Sequence, residues 1–212
     1  MINERMQEWG RVQARKVAAW LKWTGLTPNM LTIIGLLLNV VVAAVLARGE
    51  LFIGGILVIA AGLFDLLDGA MARVTDHTTP FGAFLDSTLD RYSEAILYGG
   101  LLLFLLDTPD AKLGSILIYA TICGSLMVSY ARARAEGLGY KLQNGLLARP
   151  ERIIILAAGL ILGYPLYALW FLAIFTNITA CQRIYTLWAT TTPKHEQGDR
   201  PSGHPRKQPS ER

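Results

Sequence analysis

Six predominantly apolar stretches divide the chain, near residues 28–47, 51–74, 82–106, 111–135, 151–163 and 165–189. Each reads as a helix, and all but the fifth approach the ~20 apolar residues that cross a bilayer. Thr27 and Pro28 mark the start of the first, as N-cap and first-turn residue, and the Gly163-Tyr164-Pro165 turn ends the fifth. Before the first stretch, residues 3–22 interleave Met6, Trp9, Val12, Val17, Trp20 and Leu21 with Arg5, Arg11, Arg15, Lys16 and Lys22. That pattern predicts an amphipathic helix on a membrane surface, a solvated or partner-facing helix being the alternative. From Thr190 the chain turns polar and carries Pro193, Pro201, Pro205 and Pro209, which predicts disorder. The expected fold is all-α: a polytopic membrane protein of six transmembrane helices with an N-terminal amphipathic surface helix. The divisions are 1–26 juxtamembrane helix, 27–190 six-helix domain and 191–212 cytoplasmic tail.

Composition supports a membrane chain over a soluble core. Of 212 residues 52% are hydrophobic, and the charged 17% bunch at segment ends. The first 25 residues lack the continuous apolar run of a cleavable signal peptide. Cys123 and Cys181 both lie in apolar stretches, so neither a disulfide nor a zinc site is expected. The net charge of +4 comes from residues flanking the apolar stretches and from the tail, which favours anionic lipid headgroups over nucleic acid. Basic residues concentrate in the first 26 residues, in the connection holding Arg132, Arg134, Lys141, Arg149 and Arg152, and in the tail. By the positive-inside rule both termini, and the loop joining the second and third helices, are cytoplasmic, in a multi-pass protein of the cell membrane.

Against this apolar background stand four carboxylates. Asp65, Asp68, Gly69 and Ala72 fall on one face of a helix, and Gly82, Asp86 and Asp90 fall on one face of the next. Antiparallel helices joined by a short loop present both faces to one cavity. An intramembrane carboxylate costs roughly 2.5–3.5 kcal/mol, so four cost about 10 kcal/mol or more unless neutralised. Divalent cations do this. Oxygen-only ligation suits Mg²⁺, Mn²⁺ or Ca²⁺ rather than zinc, and four carboxylates suffice for two ions of the kind used in phosphoryl displacement.

The pattern Asp65-x2-Asp68-Gly69-x2-Ala72-Arg73-x8-Gly82-x3-Asp86-x3-Asp90 fixes eight positions in 26 residues. It resembles the signature of the CDP-alcohol phosphotransferase family, with no departure at any signature position. The resemblance implies six membrane helices, a homodimer, a site open to the cytoplasm, and transfer of a phosphatidyl group from CDP-diacylglycerol to an alcohol with release of CMP. It implies Mg²⁺ or Mn²⁺, two ions, on Asp65, Asp68, Asp86 and Asp90, with Asp90 also at the family's general-base position. Gly69, Gly82 and Ala72 would leave room for the nucleotide, and Arg73 would hold a phosphate oxygen, although glycines in membrane helices also serve as packing notches. Asn29 follows Pro28 as in many family members, and either caps the helix or joins the nucleotide pocket.

A second set of residues concerns the acceptor. Ser129 to Gly137, with Arg132 and Arg134, then Arg149-Pro150-Glu151-Arg152, then Gln182-Arg183 look similar to segments in the prokaryotic phosphatidylinositol phosphate synthase branch of the family and in its archaeal inositol-phosphate relatives. Ala148 stands where that branch carries Glu. Converging cations suit a phosphorylated polyol, whose charge must be paired as it leaves water; the alternative is ordinary flanking charge. The expected acceptor is therefore myo-inositol 1-phosphate, with glycerol 3-phosphate the runner-up. A divalent-cation transporter is the competing class, and would show broken helices or an inverted repeat. A membrane scaffold would leave the carboxylates unexplained.

Overall fold

The computed structural model describes residues 27–75, 79–142 and 145–191, with the side chains of 66–75 outside that description. The expected surface helix and the tail beyond Thr191 lie outside the described residues. Six helices make up the described chain: α1 (Pro28–Ala47), α2 (Leu51–Thr75), α3 (Pro80–Leu106), α4 (Ala111–Gly137), α5 (Arg149–Ile161) and α6 (Pro165–Thr191). Strands are absent among the described residues.

Two of the helices start in the same way. Thr27 is extended and its hydroxyl accepts from Met30 N at 3.3 Å, with Pro28 in the first turn. Thr79 repeats this, accepting from Gly82 N at 3.0 Å with Pro80 next, so α3 begins two residues before the expected 82. At the other ends, Gly49 and Gly163 take φ of +82° and +76°, a backbone conformation that costs a side-chain-bearing residue energy. The fifth helix starts at Arg149 rather than 151 and has only 13 residues. At 1.5 Å per residue it spans about 20 Å, short of the ~30 Å hydrocarbon core. Leu142 and Leu147, in the connection ahead of it, are buried.

Each helix packs on two others, closing a ring in the order α1, α2, α5, α6, α4, α3 and back to α1. Small residues let the backbones approach: a Cβ on Gly100 would collide with the Ala43 carbonyl, and one on Gly124 with Thr176. Such notches replace the hydrophobic drive that lipid does not provide. Leu46, Leu101, Leu160, Leu169 and Leu172 fill the interior, while Leu37, Leu63, Leu103, Ile116 and Ile174 point outward. An apolar exterior around a closed ring suits lipid contact. Helices α1, α4 and α6 are long and apolar enough to cross a membrane; the apolar part of α2 is the shorter Leu51–Asp65.

Among the described residues the two acidic helices are not packed on each other. Among the described residues, α2 and α3 each lie against α1 and leave an opening between them. The expected short loop, 76–78, lies outside the described residues.

Candidate active site

The opening is lined by three helices. From α2 comes Asp65, whose carboxylate fits over Gly35 of α1: a Cβ there would stand 2.7 Å from Asp65 Oδ1. From α3 come Asp86 and Asp90, one helical turn apart and both partly buried. From the first turn of α5 comes Arg149, whose Nη2 lies 2.6 Å from Asp65 Oδ2 and whose Nη1 lies 2.6 Å from Asp90 Oδ1. One guanidinium therefore bridges both arms of the acidic pattern.

Arg149, expected in the acceptor set, has its side chain drawn onto the carboxylates. The reason is electrostatic, because like charges held together in a half-buried site raise one another's energy unless a cation sits between them. Its Nε is buried and has no hydrogen-bond partner among the described residues. Arg91 adds a looser contact, 3.6 Å from Asp90 Oδ2, and also donates to the Ser87 carbonyl. Asp86 makes no ion pair among the described residues, so two of the three carboxylates share one tightly held guanidinium.

The remaining donor-side residues divide in two. Asn29 and Gly82 are brought together, since a Cβ on Gly82 would stand 3.0 Å from Asn29 Oδ1. Asp68, Gly69, Ala72 and Arg73 lie on the helical backbone of α2, with side chains outside the described set. Among the described residues no group of three His, Cys, Asp or Glu side chains is close enough to hold a metal. The donor chemistry nonetheless fits a hard divalent cation: oxygens of Asp65 and Asp90 already converge on one positive group, and neither His nor Cys intrudes.

The basic residues do not form one free cluster. Arg152 is buried at 2% exposure and held by Glu94, Nε to Oε1 at 2.7 Å and Nη2 to Oε2 at 2.8 Å. Arg183 is buried in α6 and donates to the Val128 carbonyl of α4. A Cβ on Gly145 would stand 3.2 Å from Arg183 Nε, so this arginine lies under the segment leading into α5. Arg132 is exposed and pairs with Glu136 at 2.9 Å, and Arg134 is exposed in the last turn of α4. Below the guanidiniums, Asn39, Asp65, Glu94, Tyr98, Arg149 and Arg152 line a cavity of about 10 Å³, room for about one water.

Glu94, Gly35 and Asn39 are the site residues that the sequence reading missed. Glu94 had a signal, for Gly82, Asp86, Asp90, Glu94 and Tyr98 recur every four residues along α3. Gly35 and Asn39 had none, because what each faces is set by tertiary packing.

Comparison with known proteins bears on the family and the fold. The chain is 40% identical over 176 residues to a phosphatidylinositol phosphate synthase of Mycobacterium marinum, covering 78% of this chain and 75% of the relative. To the archaetidylinositol phosphate synthase of Methanothermobacter thermautotrophicus it is 39% identical over 170 residues, 77% of this chain and 84% of the relative. The crystal structure of Mycobacterium tuberculosis phosphatidylinositol phosphate synthase with CDP-DAG bound superposes with a TM-score of 0.78 at 35% identity, covering 85% of this chain and 95% of that one. The same enzyme in complex with manganese and citrate gives 0.78 at 36% identity, covering 85% of this chain and 90% of that one. Residues 25–188, which contain all six helices but the last three residues of α6, match the CDP-alcohol phosphatidyltransferase family, and the chain is a member of it.

Proposed function

We propose that this enzyme transfers the phosphatidyl group of CDP-diacylglycerol to myo-inositol 1-phosphate, giving phosphatidylinositol phosphate and CMP. The observation that carries this reading is the bridge from Arg149 to Asp65 and Asp90. It places the first residue of the basic segment directly on the carboxylates of the transfer signature, so an anionic acceptor entering beside α5 meets a guanidinium at the reacting centre. Relatives similar in sequence are named phosphatidylinositol or archaetidylinositol phosphate synthase, and the similar solved structure is a phosphatidylinositol phosphate synthase.

In this mechanism Asp65, Asp68, Asp86 and Asp90 would hold divalent cations, Mg²⁺ or Mn²⁺ and two in number. Such ions, when bound, neutralise the pyrophosphate and stabilise the departing CMP. Asn29 and the small residues Gly69, Ala72 and Gly82 leave space for the cytidine end, and Arg73 holds a phosphate oxygen. Asp90 takes the proton from the acceptor hydroxyl as its oxygen bonds to the phosphatidyl phosphorus and the bond from that phosphorus to CMP breaks. Arg149, together with Arg132, Arg134, Arg152 and Arg183, supplies positive charge for the acceptor phosphate.

The same reading sets the enzyme in the cell membrane as a homodimer of six-span subunits. Its termini and active site are cytoplasmic, residues 1–26 lie on the membrane surface, and 191–212 form a tail. Release of CMP from CDP-diacylglycerol tests it, with inositol 1-phosphate, glycerol 3-phosphate and free inositol supplied in turn. Preference for glycerol 3-phosphate would keep the chemistry and change the acceptor.

A further inference from the structure

Glu94 lies outside the eight signature positions, and the transfer chemistry makes no use of it. Both of its carboxylate oxygens are nevertheless committed to a single guanidinium, that of Arg152, at 2.7 and 2.8 Å. The third nitrogen, Nη1, donates to the Leu147 carbonyl at 3.3 Å, so Arg152 is hydrogen-bonded through all three of its nitrogens. The pair crosses the inside of the ring. Helices α3 and α5 do not pack on one another, and side chains alone connect them.

Besides the ion pairs of Arg149 itself and the buried Leu147, one further side-chain contact fixes the start of α5. Ala148 gives it no side-chain cap, and the helix has 13 residues. Arg152 ties the first turn to Glu94 on α3 and to the chain just before the helix at Leu147. Arg149 stands three residues before Arg152, so the two share a turn. Where Glu94 holds Arg152 therefore decides where Arg149 stands over Asp65 and Asp90.

The geometry points to Glu94 as a positioning residue: through Arg152 it holds the first turn of α5 so that Arg149 is presented at the reacting centre. This rests on the reading above in which Arg149 serves the acceptor phosphate. Glu94 touches neither substrate and acts only through the arginines. A fully satisfied, buried and bidentate pair is suited to this work because its geometry is narrow and neither partner is easily replaced.

The test is a double-mutant cycle on the full chain with Glu94→Gln and Arg152→Lys, one removing the charge and the other the planar fork. Each single variant is expected to raise the acceptor KM by about fivefold or more and leave the donor KM within about twofold, and the double variant is expected to be no worse than either single variant by more than about twofold. Glu94→Asp, which keeps the ion pair one methylene shorter, is expected to recover part of the loss. Hydrogen exchange at residues 149–153 is expected to be faster in Glu94→Gln, a readout that needs no turnover. A variant with lower thermal stability but wild-type acceptor KM would overturn the proposal and leave the pair a scaffold contact, as would effects that multiply in the double variant. Should Glu94→Gln not fold, a wild-type acceptor KM in Glu94→Asp, with exchange at 149–153 unchanged, overturns it equally. A wild-type chain that turns over only an uncharged alcohol would sink the functional reading instead; unchanged exchange at 149–153 in Glu94→Gln would then reject the positioning role as well.

Discussion

Arg149 donates to Asp65 at 2.6 Å although 84 positions separate them in the chain. The contact joins a residue opening the shortest helix to the first carboxylate of the acidic pattern, and the same guanidinium reaches Asp90. On the metal set proposed above, a divalent cation and Arg149 seek the same oxygens. Replacing Arg149 with Met should lower the stability of the metal-free protein. Added Mn²⁺ should restore more stability to it than to the wild type, by several degrees in Tm, because unpaired carboxylates gain more from the ion. Thermal unfolding with and without Mn²⁺ measures this; equal shifts in both proteins would mean that Arg149 and the ion do not compete.

Asp65→Asn should abolish transfer together with Mn²⁺ affinity, and Asp68→Asn should do the same. The expected loss is at least about a hundredfold in kcat/KM, read alongside a metal titration. Wild-type metal dependence in either variant would remove that residue from the metal set.

Asp90→Asn separates two roles. If Asp90 takes the hydroxyl proton, turnover should fall by about 10²–10⁴ while CDP-diacylglycerol still binds within about threefold of wild type. A donor affinity that falls as steeply as for Asp65→Asn would make Asp90 chiefly a ligand.

Gly35→Ala tests the seat of Asp65. The new Cβ would stand 2.7 Å from Asp65 Oδ1, so the flexible carboxylate must move. A displacement of this kind should cost on the order of 10- to 100-fold in rate with little change in unfolding temperature. Unimpaired turnover would show that the carboxylate position is not set by α1.

Much of the fold was legible because the signals are local. Threonine followed by proline opens both α1 and α3, and glycine at positive φ closes the turns after α1 and α5. The carboxylates were legible too, as charges in helical phase within apolar sequence have few structural uses. The ring order among the described residues was not, because it depends on which small residues meet across helices, as Gly100 meets Ala43. The arginines were only half legible. Their clustering at helix ends is written in the sequence, and so is the i,i+4 pairing of Arg132 with Glu136, but the long-range destinations are not: Arg149 goes to Asp65 and Asp90 and Arg152 to Glu94, each chosen by distances that folding creates.

The central claim is that the carboxylates act on a CDP-lipid and the arginines on a phosphorylated acceptor. Its most direct test is CMP release by the purified full chain from CDP-diacylglycerol and Mn²⁺, comparing inositol 1-phosphate with free inositol. The expected result is turnover with inositol 1-phosphate exceeding that with inositol by at least about tenfold in kcat/KM, the discrimination that one charge-assisted contact supports. Equal or better use of free inositol would contradict it.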